Sequence, residues 1–125
     1  MIQISPSNRV SLIGCQPGIL SVLPIIEAEC ARLGLSLLVT SGSDGKHSPG
    51  SLHPKGLALD FTGTIGVGRL ASISELDTIA SGLRIRLGPG CDVVLEVFPA
   101  KPSRNHLHVE RDPKKRPLEP WEEGA

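Results

Sequence analysis

Aromatic residues are almost missing from this chain, which has two Phe, one Trp and no Tyr. It therefore lacks the stacking platforms on which single-stranded nucleic acids are held. Net charge is missing too, since 13 basic residues balance 13 acidic ones. No long-range pull toward a polyanion or an anionic membrane follows, so neither nucleic acid nor membrane is expected as a partner. No apolar run is long enough to span a bilayer. The N-terminus has no basic segment followed by an apolar stretch and a small-residue cleavage site, so a cytoplasmic protein is expected. Cysteine is sparse and odd in number, with Cys15, Cys30 and Cys91 showing no Cys-x-x-Cys spacing. Reduced, structural thiols are the expectation.

What is present is concentrated in two segments. Ser51-Leu52-His53-Pro54-Lys55-Gly56-Leu57-Ala58-Leu59-Asp60 carries an imidazole and a carboxylate seven positions apart. Its first half, with Pro54 and Gly56, reads as a turn. Its second half reads as a short buried strand over Leu57–Phe61, bringing Asp60 near its end. Downstream, His106-Leu107-His108-Val109-Glu110 alternates polar and apolar residues. Side chains two apart on a strand share a face, so His106, His108 and Glu110 project together while Leu107 and Val109 enter a core. A His-x-His strand alone is a weak signal. Here both segments put costly polar groups beside apolar strands, and coordination would explain their presence. His53, Asp60 and one or both histidines of the second strand are ligand types that zinc takes in catalytic sites with an open fourth position.

The pattern Ser51-x-His53-x-x-Gly56-x-Ala58-x-Asp60, followed by His106-x-His108, resembles the zinc peptidases that cut D-alanine-containing peptides of bacterial cell walls. These include D-alanyl-D-alanine carboxypeptidases, dipeptidases and phage L-alanyl-D-glutamate endolysins, which share a fold with hedgehog signalling domains. Val39-Thr40-Ser41-Gly42 is similar to the strand-to-loop entry of that family, and the likeness spans roughly residues 20 to 111. It implies His53, Asp60 and His108 as zinc ligands, Ser51 as a residue orienting His53 or touching substrate, and a peptidoglycan stem peptide or other D-amino-acid peptide as substrate. It also implies an arginine near residues 41–50 for the substrate carboxylate. The sequence has none there, which leaves Lys46 as the candidate cation. Many family members carry Glu or Asp three residues before the last ligand, where this chain has Asn105. Glu96 is the expected substitute as general base and acid, provided its strand pairs with Glu96 near His106. His106 is expected to stabilise the oxyanion or position water. A zinc-containing binding module or phage structural module of the same fold is the alternative. For the enzyme, access to the wall would require lysis, a secretion machine or a phage particle.

At 125 residues the chain is expected to be one domain and a monomer. Helical spacing covers Ile19–Leu33, with Pro24 kinking the helix or starting its main part and Gly34 ending it. Leu35–Thr40 reads as a strand, and Val10–Ile13 as a possible short one. Ser72 and Glu75 form a capping box ahead of a second helix that Gly88-Pro89-Gly90 ends. Gly63–Gly68 is expected to be a mobile connection, and Asp92–Val97 to pair with residues 106–110 as an antiparallel hairpin. The predicted fold is α+β, with two helices packed on a small, mainly antiparallel sheet of the hedgehog/DD-peptidase type. Residues 1–111 form the zinc peptidase-like domain, and residues 112–125 an extended or disordered tail.

Overall fold

The computed structural model describes residues 2–4, 12, 14–43, 51–53, 55–66 and 68–124. Among these described residues, six strands form one mixed sheet: β1 (Ile2–Ile4), β2 (Ser36–Ser41), β3 (Ala58–Ile65), β4 (Arg69–Leu70), β5 (Cys91–Glu96) and β6 (His106–Arg111). Their order is β1-β2-β3-β6-β5, with β4 paired to β3. The β1–β2 pair is parallel, and the other pairs are antiparallel. The class is thus α+β, with the mainly antiparallel sheet expected from the sequence.

Alternation along the central strands separates core from site. Leu59 and Phe61 of β3, Leu107 and Val109 of β6 and Val93 of β5 are buried on one face. Against them pack α2 (Leu23–Arg32) and α3 (Ile73–Leu87), through Ile26, Cys30, Leu76, Ile79, Ala80 and Leu83. Burying a side chain of this size stabilises the fold by roughly 1.5–3 kcal/mol. The intervening residues, Asp60, His106, His108, Glu110 and Glu96, necessarily belong to the opposite face.

Local signals act where the sequence put them. Pro24 occupies the first turn of α2, where its missing N–H costs nothing. Gly34, just past the helix, has φ of 73°. The Ser72 side chain accepts from Glu75 N–H, while Glu75 accepts from Ser72 N–H, closing the capping box of α3. Gly88 follows with φ of 72°. The helical region before Gly34 is divided, however. A short α1 (Pro17–Leu20) precedes α2, and the break falls at Ser21 and Val22.

Three expectations need correction or fall outside the described region. β3 runs on to Ile65, so Asp60 stands near its start rather than its end. Gly63 to Ile65, expected in a mobile connection, pair with β2 and β4, and Ala71 N–H donates to Gly63 O. A Cβ on Gly63 would come within 3.1 Å of Leu35, so glycine here serves close packing rather than looseness. Of the possible strand at Val10–Ile13, only Leu12 is described, and it is not in a strand.

The segment after Arg111 is also not an extended or disordered tail. Residues Asp112–Lys115 turn, and α4 (Pro120–Glu123) packs beside α1. The cause is Arg111, a fully buried guanidinium. It donates to both carboxylate oxygens of buried Glu122, at 2.7 and 3.1 Å. It also donates to the carbonyls of Gly90, Asp112, Arg116 and Pro117. A charge so deep is tolerated only when paired and fully hydrogen-bonded, and the C-terminal segment supplies the partners. Glu122→Ala is therefore expected to cost about 3–5 kcal/mol in urea unfolding, because it strands that guanidinium. A change within about 0.5 kcal/mol would contradict the assignment. Arg111 also holds the Glu122 carboxyl below its ordinary value of 4.5. This contribution is full above that value and is lost as pH falls through the folded pKa.

Among the described residues, no helix is long and apolar enough to cross a membrane.

Candidate metal centre

Asp60 and His108 are direct cross-strand partners in the β3–β6 register. Side chains at such a pair lie close together on one face, and His108 Nδ1 is 2.9 Å from Asp60 Oδ1. Beside Asp60, the β2–β3 pairing shifts between Val39 and Ser41, a bulge at the edge of the site. His53 comes from the turn that leads into β3. There Gly56 N–H donates to His53 O, and Leu57 N–H to Leu52 O. Gly56 has φ of 71°, and a Cβ there would lie 2.0 Å from Gly14 O, so only glycine lets this turn seat. Ser51 Oγ accepts from the backbone N–H of His53 at 3.2 Å, a bond within the turn rather than to the imidazole. The result brings His53 Nε2 to 3.2 Å from both Asp60 Oδ1 and His108 Nδ1.

Tautomers follow from the outer partners. A carbonyl can only accept, so His53 Nδ1 donates to Gly42 O at 2.7 Å. His108 Nε2 donates to the Glu110 carboxylate at 2.9 Å. In the neutral imidazoles the inner nitrogens then carry lone pairs, aimed with Asp60 Oδ1 at one another. Three acceptors within 2.9–3.2 Å repel unless a cation lies among them. Ligand atoms about 2.0–2.1 Å from a tetrahedral zinc stand about 3.3–3.4 Å apart, close to these separations. Imidazoles whose far nitrogens donate to a carbonyl and a carboxylate are also the usual outer arrangement of a metal site. His53, Asp60 and His108 form a group that could hold a metal ion.

With no ion bound, the same geometry favours the protonated histidines. Burial favours neutral imidazoles, but the hydrogen bond and charge of Asp60 outweigh it and raise His53 above 6.5. His108 is raised likewise against its burial, by Asp60 and Glu110. Burial would raise Asp60, yet hydrogen bonds from His108 and His53 hold its carboxyl well below the usual range. Metal uptake must displace the histidine protons. Affinity measured against a chromophoric chelator is therefore expected to fall steadily as pH drops through the raised histidine range. The metal-free protein should show the opposite trend in stability. The histidine contribution is complete below pH 6.5 and disappears as pH rises through the folded values. Metal affinity independent of pH from 8 to about 5.5 would rule out these ligands.

A cleft of about 420 Å³ opens over the group, lined by Ser51, His53, Asp60, Glu96, His106 and His108 among others. β5 pairs with β6 in the register that sets Glu96 opposite His106. His106 Nε2 lies 3.7 Å from Glu96 Oε1 and 3.7 Å from Asp60 Oδ2. The pairing on which the expectation for Glu96 is conditional is thus the one found. Asn105 does different work: its Oδ1 accepts from Phe98 N–H at 2.6 Å, closing the β5–β6 connection. Lys46 lies outside the described residues.

A second cavity of about 300 Å³ shares the Asp60–His106 wall. Thr40, Ser41, Thr62 and Arg104 also line it. Thr62 is buried, and its hydroxyl finds no partner among the described residues. Arg104 lies over the Phe98 ring, with Cζ 5.1 Å from the centroid. Sequence reasoning missed both, since a loop arginine and a strand threonine carry no pattern. Glu110 was legible as a neighbour of His108, because residues two apart share a strand face.

The chain matches no protein-family model and no curated protein.

Proposed function

We propose that the chain is a zinc metallopeptidase with the hedgehog/DD-peptidase fold that hydrolyses D-amino-acid-containing stem peptides of peptidoglycan. The observation that carries this reading is the convergence of His53 Nε2, His108 Nδ1 and Asp60 Oδ1 on one point beside an open cleft. The likeness of the two ligand segments to wall peptidases supplies the substrate class. Bound there, zinc provides Lewis-acid polarisation of a carbonyl and acidification of water.

The chain's own residues do the rest. Gly42 O and Glu110 hold the two imidazoles in the tautomers that ligation needs. Glu96, half-exposed at the cleft wall, takes the proton of the attacking water and delivers it to the leaving amine. His106 is held by its Nδ1–H bond to Arg104 O at 2.8 Å and turns Nε2 toward the same space. From there its Nε2 lone pair accepts from a water and positions it. Arg104, in the adjoining cavity, supplies a positive charge for a substrate carboxylate where the loop before Ser51 has no arginine.

The test is digestion of defined muropeptides with and without a chelator, with products identified by mass. Zinc-dependent cleavage next to a D-amino acid is expected, with all-L analogues left intact. Arg104→Ala is expected to raise KM more than it lowers kcat. Stoichiometric zinc without cleavage would favour the alternative of a binding or phage structural module, for which Asn105 at the usual base position speaks.

A further inference from the structure

The same carboxylate that closes the first centre also faces a second set of donors. Asp60 spends Oδ1 on His53 and His108, while Oδ2 faces His106 Nε2 at 3.7 Å. That nitrogen is equally 3.7 Å from Glu96 Oε1. The three residues present one ligand atom each within 4.8 Å of one another. A triangle with these edges has its centre about 2.1–2.4 Å from every corner, within or near the range of zinc–nitrogen and zinc–oxygen bonds.

The imidazole is prepared for ligation. His106 Nδ1–H donates to Arg104 O, which leaves the Nε2 lone pair of the neutral ring directed into the cleft. Phe98 stacks against the ring at 5.8 Å, which limits its rotation. Glu96 is its cross-strand partner and, being half-exposed, has the freedom to close on an ion. The remaining acidic group, Asp92, Glu110 and Asp112, differs: Lys115 pairs with Asp92, and His108 engages Glu110.

We propose that Asp60 Oδ2, Glu96 and His106 form a second, weaker divalent-cation site that Asp60 bridges to the first. Carboxylate-bridged pairs of ions stand about 3.5–4 Å apart in hydrolases, a spacing that one Asp spans. Filling this site removes Glu96 and His106 from proton transfer and water positioning. Excess zinc therefore inhibits the peptidase. The inhibition rests on the proposed peptidase activity, whereas the binding does not.

Titration of the metal-free 125-residue chain with zinc in a calorimeter tests the binding. Two events are expected, a tight one and a weaker one, at one ion per chain each. His106→Ala and Glu96→Gln should each lose the weaker event and keep the tight one, which also reports that the variant is folded. His53→Ala should lose the tight event. Cobalt in place of zinc should give two successive visible absorption changes, the second missing in His106→Ala. Hydrolysis should rise with the first equivalent of zinc and decline with excess. A single event in the unsubstituted protein, or a second event that survives His106→Ala, overturns the site. Two events without hydrolysis at any zinc level uphold the site and refute the peptidase instead.

Discussion

Asp60→Ala is expected to abolish stoichiometric zinc binding and, with it, all hydrolysis, while the fold survives. Asp60 Oδ1 is the atom common to both short contacts with the histidines, and its charge would balance that of a bound cation. Without it two neutral imidazoles remain, one of them nearly enclosed, and a divalent ion there lacks an anionic ligand. The hydrophobic core lies on the other face of the sheet, among Leu59, Phe61, Leu107 and Val109, and is untouched. Glu110→Ala provides the scale. It removes only the acceptor that orients His108, so its effect should be the roughly 10–100-fold loss typical of an outer partner. Elemental analysis after dialysis distinguishes the two: Asp60→Ala retains no zinc, whereas Glu110→Ala retains it at high protein concentration. If Asp60→Ala still carries one zinc per chain, the proposed ligand set is wrong.

The second large effect concerns Glu96, the proposed proton carrier. Glu96→Gln keeps shape and strand pairing but cannot accept a proton. At one zinc per chain a drop in kcat of about 10²–10⁴-fold is expected, with the tightly bound zinc and KM close to those of the parent. The register supports this choice, since Glu96 and His106 are directly opposed and a slip of one residue would turn Glu96 to the core face. Unchanged kcat in Glu96→Gln would remove Glu96 as the base, leaving His106 or Glu110 to be tested by substitution.

The features legible in the sequence were those that local chemistry determines. Pro24, Gly34 and the Ser72–Glu75 box act over one helical turn, so they declare helix ends wherever the chain folds. Strand alternation made legible that His106, His108 and Glu110 share a face, whereas the choice of His53, Asp60 and His108 as candidate ligands came from the resemblance to wall peptidases. The antiparallel pairing of β5 with β6 was legible from two strands in succession, but their register was not, since a one-residue slip leaves the sequence pattern unchanged. What escaped depends on contacts between distant segments. Residues 63–65 look like loop, yet pairing on both sides makes them strand. The 112–124 segment is polar and proline-rich, and nothing in it announces that Arg111 needs its carboxylate and carbonyls. The cavity holding Thr62 and Arg104 forms only where β2, β3 and the turn before β6 meet.

Zinc-edge X-ray absorption on the purified protein, at no more than one zinc per chain, tests the central claim most directly. The expected spectrum shows only nitrogen and oxygen neighbours at about 2.0–2.1 Å, with the multiple-scattering signature of two imidazoles. Sulfur neighbours at about 2.3 Å, or a single imidazole, would contradict coordination by His53, Asp60 and His108.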